Sequence, residues 1–162
     1  KNKDLNDTLF YHHNFGHKGK ENFQGLGINA KMSEMQSAMG LAVLPYLDEI
    51  IKHRKQSIQL YQNKLTEVQL LKIRENTQWN YAYFPVIFNN EADLLKVIAV
   101  LNKNNIFPRR YFYPSLDTLS YVNNQHCKIS RNIASRILCL PLFFKIEDSL
   151  VNEICKIINE TL

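Results

Sequence analysis

Residues 81–113 of the chain read YAYFPVIFNN EADLLKVIAV LNKNNIFPRR YFY. The first part, 81–88, is rich in aromatic and β-branched residues and ends at polar residues, which predicts a strand. Asn90 is a favourable helix N-cap, and the apolar side chains that follow it recur at three- and four-residue steps. We predict a second strand over 106–113, so the stretch as a whole indicates a strand–helix–strand layer of α/β type. The apolar face of the predicted helix consists of Leu94, Leu95, Ile98 and Leu101.

The chain before this layer is predicted to be largely helical. Ser33 and Gln36 have the spacing of a capping box, which predicts a helix that starts at Ser33. Pro45 lacks an amide hydrogen and clashes with the preceding turn, so we expect the helix to kink or to restart there. A long amphipathic helix is then predicted to end near Thr66. Its apolar face consists of Leu47, Ile50, Ile51, Ile58, Tyr61 and Leu65.

Three further elements are predicted after the strand–helix–strand layer. A short helix follows Ser130, an apolar segment covers 137–142, and a last helix ends the chain. The predicted fold class is therefore α/β, with one long helix packed on a small sheet that has flanking helices. The apolar side chains of the last helix are Leu150, Val151, Ile154, Ile157 and Ile158.

The domain organisation follows from the distribution of glycine and of apolar residues. Residues 1–32 are predicted to be rich in loops and to lack a core of their own, so we interpret them as the remnant of a larger domain. Residues 33–75 form the long connecting helices, and residues 76–162 form a small C-terminal α/β domain. Four of the five glycines lie in the first of these regions: Gly16, Gly19, Gly25 and Gly27.

Length and composition exclude several classes of protein. The chain has 162 residues, of which 45% are apolar and 22% charged, as expected for a compact globular domain. No apolar run approaches the roughly 20 residues of a membrane helix, and no signal peptide follows the polar first residues. A cytoplasmic location and no membrane partner are therefore expected. The net charge is +5, but the one dense basic run, 52–55, is interpreted as a solvated helix face and not as a nucleic-acid site.

Histidines and cysteines do not indicate a metal or a disulfide framework. His12, His13 and His17 are close in sequence, but no carboxylate or cysteine accompanies them at a metal-ligand spacing, so no metal is expected. The three cysteines, at positions 127, 139 and 155, are odd in number and irregularly spaced, which favours a reducing compartment.

Several stretches of the chain together resemble a known family. In this order and combination they are similar to the sugar aminotransferases of the DegT/StrS type, which are enzymes of fold type I that use pyridoxal 5'-phosphate (PLP). The resemblance covers nearly the whole chain. The stretches are NFG at 14–16, GINAKMSEMQSAMGL at 27–41, LDEII at 47–51 with Arg54, RRYFYPSL at 109–116 and IASRILCLPL at 133–142.

The resemblance implies that Asn29 binds the cofactor. In similar enzymes the matching asparagine reaches across a homodimer and donates a hydrogen bond to the phosphate of the neighbouring subunit's PLP. An amide NH₂ is a directional donor suited to a phosphate oxygen. The local sequence alone favours a turn residue before a helix, and the surrounding resemblance reverses that preference. Lys31 is expected to contribute to the phosphate or nucleotide environment, with an ordinary surface lysine as the alternative.

The substrate is expected to meet residues 109–113. Arg109 and Arg110 suit a diphosphate because the guanidinium is a bidentate donor, and Tyr111 and Tyr113 can stack on a sugar or base. Alternation along a strand would place Arg109, Tyr111 and Tyr113 on one face and Arg110 on the other. The alternative is an amphipathic strand with purely structural side chains. Many relatives carry histidine where this chain has Phe112.

The resemblance also implies an activity that this chain alone lacks. The lysine that forms a Schiff base with PLP is expected upstream of Lys1, so no catalytic residue is expected among the 162 residues, and the chain alone is expected to be inactive. The implied reaction transfers an amino group, from glutamate, to a keto group of a nucleotide-diphospho-6-deoxysugar for a surface polysaccharide. A non-catalytic binding or regulatory relative and a free-standing α/β interaction module are the alternatives.

Overall fold

The computed structural model describes residues 2–19, 21–120, 122 and 126–162. The chain divides into two compact units, Lys1–Leu47 and Asp48–Leu162, and each is described by itself. Within the described residues, every helix is too short or too polar to cross a membrane.

The first unit contains two helices joined by a long loop. Helix α1 covers Lys3–His12 and begins at Asn2, whose side chain accepts from the Leu5 amide. The sequence pattern predicted a segment rich in loops and did not indicate this ten-residue helix. Helix α1 has no buried residue, and its apolar side chains Leu5, Leu9 and Phe10 are exposed. It therefore lacks the buried apolar face that would predict a helix from the sequence. Helix α2 covers Glu34–Val43 and also has no buried residue.

The predicted capping box and the predicted restart at Pro45 are both confirmed. The Ser33 hydroxyl accepts from the Gln36 amide at 3.2 Å, and the Gln36 side chain accepts from the Ser33 amide at 3.0 Å. Pro45 lies in a 3-10 turn, Leu44–Tyr46, at a position where its missing amide hydrogen costs nothing. Helix α3, Leu47–Lys64, follows this turn, so the long amphipathic helix is also confirmed.

The second unit is built on a small antiparallel sheet. Strands β1, Gln69–Leu70, β2, Phe84–Ile87, and β3, Ile137–Leu140, lie in the order β1-β2-β3. Helices α4, Glu91–Lys103, α5, Lys128–Arg136, and α6, Asp148–Thr161, complete the unit. Asn90 caps α4 as predicted, with its side chain accepting from the Asp93 amide at 2.9 Å.

One core joins the long helix to the sheet. The Tyr61 ring of α3 stacks on Phe84 of β2 with centroids 5.0 Å apart, and its hydroxyl donates to the Pro141 carbonyl oxygen at 2.9 Å. This bond satisfies the one polar group of a fully buried ring, because Tyr61 has no exposed surface. Burial raises the pKa of Tyr61 well above its usual range. The predicted fold class, a long helix on a small sheet with flanking helices, is confirmed.

The second predicted strand, over 106–113, is wrong. The segment makes a single bridge, in which Arg109 and Cys139 exchange backbone hydrogen bonds at 3.1 and 2.8 Å. A ladder would need another pair two residues on, but the backbone turns at Tyr111 and Phe112. The residues of this segment favour a strand, but tertiary contacts can override such a preference. One such contact is made by the Arg110 side chain, which binds Glu91 on α4 and the Ser135 carbonyl oxygen on α5.

Candidate functional site

The segment that carries Asn29 is bound on both sides to the end of α1. The Ile28 amide donates to the His12 carbonyl oxygen at 2.9 Å, and the Ala30 amide donates to the His13 carbonyl oxygen at 2.9 Å. Asn14 and Asn29 themselves form an antiparallel bridge. The backbone of Asn29 is thus held by its neighbours while its side chain projects from an exposed position.

The Asn29 amide is available to a ligand. It forms no side-chain hydrogen bond with any residue that the structure describes, so both of its N–H groups are free. Lys31 is more constrained, because its Nζ donates to Asn14 Oδ1 at 2.8 Å and lies 4.7 Å from the centroid of the Phe15 ring. One of the three ammonium hydrogens is used in this way, and two remain for another acceptor.

In the second unit, Arg109 lines a cavity of about 270 Å³. Tyr83 and Tyr111 meet edge to face in its wall, with centroids 5.4 Å apart, and the Arg109 guanidinium lies 6.0 Å from the Tyr111 ring. Arg109 is the one charged residue among the described residues that line it. Burial raises the pKa of the Cys139 thiol in the same wall, which keeps that group neutral. The cavity therefore combines aromatic faces with a guanidinium that has no acidic partner in the part of the chain that the structure describes.

Arg110 has a different environment from its neighbour. Its Nη2 lies 2.6 Å from Glu91 Oε1 and donates to the Ser135 carbonyl oxygen at 2.8 Å. Its guanidinium carbon lies 3.5 Å from the centroid of the Tyr113 ring, which is a close cation–π contact. The predicted alternation is therefore wrong: Arg110 pairs with Tyr113, and Arg109 lies near Tyr111. The sequence did not indicate Glu91 as the partner.

A second polar cluster lies just after Tyr113, and no sequence pattern indicated it. Asp117 accepts from the Ser115 hydroxyl, from the Cys127 amide at 2.8 Å and from Arg131 Nε at 2.7 Å. The Ser115 hydroxyl, the Cys127 amide and Arg131 together lower the pKa of Asp117 to about 2. With every oxygen satisfied by local donors, Asp117 fixes the loop after Tyr113 and is not poised for proton transfer.

The histidine cluster of the first unit has a packing role. The His17 ring lies against Phe23, with centroids 4.6 Å apart, and near Phe15 at 6.3 Å. Across 2–19, 21–120, 122 and 126–162, no three His, Cys, Asp or Glu side chains lie close enough together to hold a metal ion. All three cysteines are free thiols.

Comparison with curated proteins finds relatives that act on nucleotide sugars. The chain is 30% identical over 167 residues to a dTDP-4-amino-4,6-dideoxy-D-glucose transaminase of Shigella dysenteriae, with 98% of the chain and 46% of the relative aligned. It is 31% identical over 156 residues to the Escherichia coli protein of the same name, with 90% of the chain and 42% of that relative aligned. A GDP-perosamine synthase of Vibrio cholerae is 26% identical over 138 residues. The chain thus spans less than half the length of each of these relatives.

Solved structures agree with the fold. A DegT DnrJ EryC1 StrS aminotransferase from Brucella abortus superposes with a TM-score of 0.87 at 20% identity, over 98% of this chain and 44% of that one. DesI, solved in the presence of its TDP-sugar product, superposes with a TM-score of 0.82 at 26% identity, over 98% and 43%.

A family model accounts for almost the whole chain. The DegT/DnrJ/EryC1/StrS aminotransferase family model matches residues 1–159. Aminotransferases of this family use PLP. The order of the matching stretches, the architecture of the second unit and the named relatives agree with this match. The chain therefore belongs to the DegT/DnrJ/EryC1/StrS aminotransferase family.

Proposed function

We propose that this chain is the C-terminal part of a longer enzyme, called the intact protein below. The enzyme uses PLP to transfer an amino group from glutamate to a keto group of a nucleotide-diphospho-6-deoxysugar. The single observation that carries the proposal is the match of residues 1–159 to the aminotransferase family. The names of the relatives, which are transaminases and a synthase of nucleotide-linked amino sugars, support the substrate class. The product would serve a surface polysaccharide, either O-antigen or capsule.

The residues of the first unit fit the phosphate of PLP. Asn29 offers two free amide hydrogens from a backbone that is held on both sides, and Lys31 offers two further donors on an ammonium group. Such donors suit a phosphate dianion, and the amide adds direction without adding charge. We propose that Asn29 donates to the phosphate bound by the partner subunit of a homodimer. PLP supplies the electron sink of the reaction when it is bound.

The cavity beside Arg109 is the proposed site for part of the nucleotide sugar. The Arg109 guanidinium, which has no acidic partner among the described residues, suits a diphosphate, and the Tyr83–Tyr111 wall suits a flat base or the face of a sugar ring. Arg110 and Tyr113 are proposed to border this site through their stacked pair. In that arrangement Arg110 orients Tyr113, because its guanidinium is already bound to Glu91 and to the Ser135 carbonyl oxygen.

The three domains expected from the sequence are part of the proposal. Residues 1–32 would belong to a larger PLP-binding domain, 33–75 would connect it to the rest, and 76–162 would form the small domain. A cytoplasmic location is proposed too, with three free thiols as its support.

The test is amino transfer by the intact protein. The purified enzyme is incubated with PLP, glutamate and either dTDP-linked or GDP-linked 4-keto-6-deoxyhexose, and the sugar product is identified by mass spectrometry. We expect an amino sugar from at least one nucleotide sugar. Activity with small keto acids alone would contradict the substrate class, and no transfer from glutamate to any acceptor would contradict the proposed reaction.

A further inference from the structure

Two segments of the first unit cross in direct backbone contact at Gly16 and Gly27, a feature named here the glycine crossing. A methyl group built on Gly27 would lie 2.6 Å from the Phe15 carbonyl carbon and 2.7 Å from the His12 carbonyl oxygen, and nearer still to the Gly16 amide nitrogen. Neither distance is possible between real atoms. On the other side, a methyl group on Gly16 would overlap the Gly25 carbonyl oxygen.

Gly16 carries a second constraint. Its φ angle is +77°, in the left-handed region that side chains disfavour. Its amide donates to the Tyr11 carbonyl oxygen at 2.8 Å, and its carbonyl oxygen accepts from the Gln24 amide at 2.7 Å. The crossing is therefore tied to α1 at one end and to the segment before Gly25 at the other.

Gly27 lies two residues before Asn29, and the glycine crossing involves the same backbone groups that bind Ile28, the residue before Asn29. The His12 carbonyl oxygen that a methyl group on Gly27 would strike is the acceptor of the Ile28 amide. The Phe15 amide, from the other segment of the crossing, donates to the Ile28 carbonyl oxygen at 3.1 Å. Any side chain at Gly27 must move this backbone, and the backbone carries Asn29.

A side-chain contact supports the same segment from the other side. The Lys31 ammonium donates to Asn14 Oδ1 at 2.8 Å, and Asn14 is the bridge partner of Asn29. Asn29 is therefore flanked by a crossing that only glycine permits and by a hydrogen bond between Lys31 and Asn14.

We propose that Gly16, Gly27, Asn14 and Lys31 are positioning residues for Asn29. They determine the position of the Asn29 amide relative to the cofactor phosphate. The inference rests on the proposed function, which gives Asn29 its ligand. It assigns Lys31 a role in holding the segment in addition to any direct contact with the phosphate.

The experiment compares PLP with pyridoxal, which lacks the phosphate. Apo-enzyme of the intact protein is titrated with each compound for the wild type, Asn29→Ala, Gly27→Ala and the double variant, and the dissociation constants are taken from the absorbance change. Gly40→Ala is the matched control, because a methyl group there meets nothing within 4 Å. Thermal unfolding of each apo-enzyme reports stability separately.

We expect Gly27→Ala to raise the dissociation constant for PLP about ten- to hundredfold, as for the loss of a hydrogen bond to a charged group. The dissociation constant for pyridoxal should stay within about threefold of the wild-type value. The double variant should bind PLP within about threefold of Asn29→Ala, because two changes that act through one bond are not additive. Gly40→Ala should match the wild type. Equal losses for PLP and pyridoxal, or additive losses in the double variant, would overturn the inference in favour of a general structural role.

Two further outcomes separate the inference from the function beneath it. If Asn29→Ala does not change the preference for PLP over pyridoxal, the assignment of Asn29 in the proposed function fails. If Asn29→Ala changes it and Gly27→Ala does not, only the positioning inference fails. Should Gly27→Ala not fold, Asn14→Ala takes its place, since it removes the acceptor of Lys31 and keeps both glycines; an unchanged preference in that variant contradicts the inference.

Discussion

Arg109 and Arg110 are adjacent in the sequence, yet their side chains differ in exposure and in binding partners. Arg109 is exposed and lines the aromatic cavity as its one charged residue among those described. Arg110 is half-buried and bound to Glu91, to the Ser135 carbonyl oxygen and to the face of Tyr113. The sequence alone indicates two equivalent arginines that could bind a diphosphate. The contacts distinguish them: Arg109 is a candidate for diphosphate binding, whereas Arg110 holds the Tyr113 side chain.

The two arginines should therefore respond differently to substitution in the intact protein. We expect Arg109→Ala to raise the KM for the nucleotide sugar about ten- to hundredfold, because one charged hydrogen-bond donor is lost. The KM for glutamate should stay nearly constant. Arg110→Ala should lower thermal stability and change the KM less, since Glu91 loses its partner. Steady-state kinetics with both substrates varied, and Arg109→Lys as a control for charge, measure this; equal KM effects from the two arginines would contradict it.

Asp117 gives the stability of the second unit a dependence on acid pH. Its pKa is lowered to about 2 by Ser115, the Cys127 amide and Arg131, against about 3.9 in an unfolded chain. A lowered folded-state pKa stabilises the fold above the unfolded value, and this contribution is lost as the pH falls from about 4 to about 2. We expect Asp117→Asn to be less stable than the wild type at pH 6, with the difference shrinking below about pH 4 and most of it gone by about pH 2.

Urea unfolding of the 162-residue chain, followed by the fluorescence of its one tryptophan, Trp79, measures this difference. The ring lies 4.8 Å from Tyr81 and packs against the core of the same unit, so its emission reports the relevant unfolding. Glu160→Gln is the control, because Glu160 is an exposed carboxylate whose only described partner, Lys156, is exposed as well and 3.8 Å away. A difference that is constant between pH 6 and pH 2 would contradict the role given to Asp117.

At the scale of elements, local signals were predicted well and distant partners were not. Ser33, Asn90 and Pro45 act within four residues of themselves, so their consequences could be read from the sequence. Arg110, just before the turn at Tyr111, binds Glu91 and the Ser135 carbonyl oxygen, which lie 19 and 25 positions away along the chain. The glycine crossing is of the same kind. Composition indicated a loop rich in glycine, but the close approach of Gly16 and Gly27 is a tertiary fact.

The capping box of α2 should carry much of that helix's local stability. Since α2 has no buried residue of its own in its unit, its first turn depends on the bonds between Ser33 and Gln36. We expect Ser33→Ala to cost about 1 kcal/mol and to accelerate amide hydrogen exchange in the first turn. Ser37→Ala is the matched control, because the Ser37 hydroxyl donates to the Ser33 carbonyl oxygen from inside the helix. Equal exchange rates in the two variants would contradict this prediction.

At the scale of the whole molecule, the first unit leaves most of its apolar surface uncovered. Leu26, Met35 and Leu41 are each at least 70% exposed, and neither α1 nor α2 buries a residue. The second unit, in contrast, has a continuous core of side chains from α3, α4, α6 and the sheet. The first unit is therefore expected to depend on further protein for its stability, in agreement with a chain that spans about half the length of its relatives.

The cross-subunit role of Asn29 is tested by mixing two impaired forms of the intact protein at a PLP concentration too low to saturate the Asn29→Ala form. One carries Asn29→Ala, and the other lacks the lysine expected upstream of this chain. If Asn29 acts on the partner's phosphate, hybrid dimers contain one complete site, and we expect part of the activity to return after mixing and subunit exchange. Native mass spectrometry verifies that hybrids form. Verified hybrids that regain no activity would show that Asn29 does not act on the partner's phosphate.

The hydrogen bond between Tyr61 and Pro141 has a consequence for when the second unit can fold during synthesis. The two residues lie 80 positions apart. Strand β2 likewise pairs with a later segment, since Phe84 to Ile87 pair with Leu140 to Ile137 of β3. A ribosome releases the chain from its N-terminus, so α3 and β2 emerge long before their partners exist. Until β3 and Pro141 leave the exit tunnel, Tyr61 has no acceptor and β2 keeps an open edge. The second unit therefore completes its folding only late in synthesis, and a nascent chain halted before Ile137 should remain sensitive to protease.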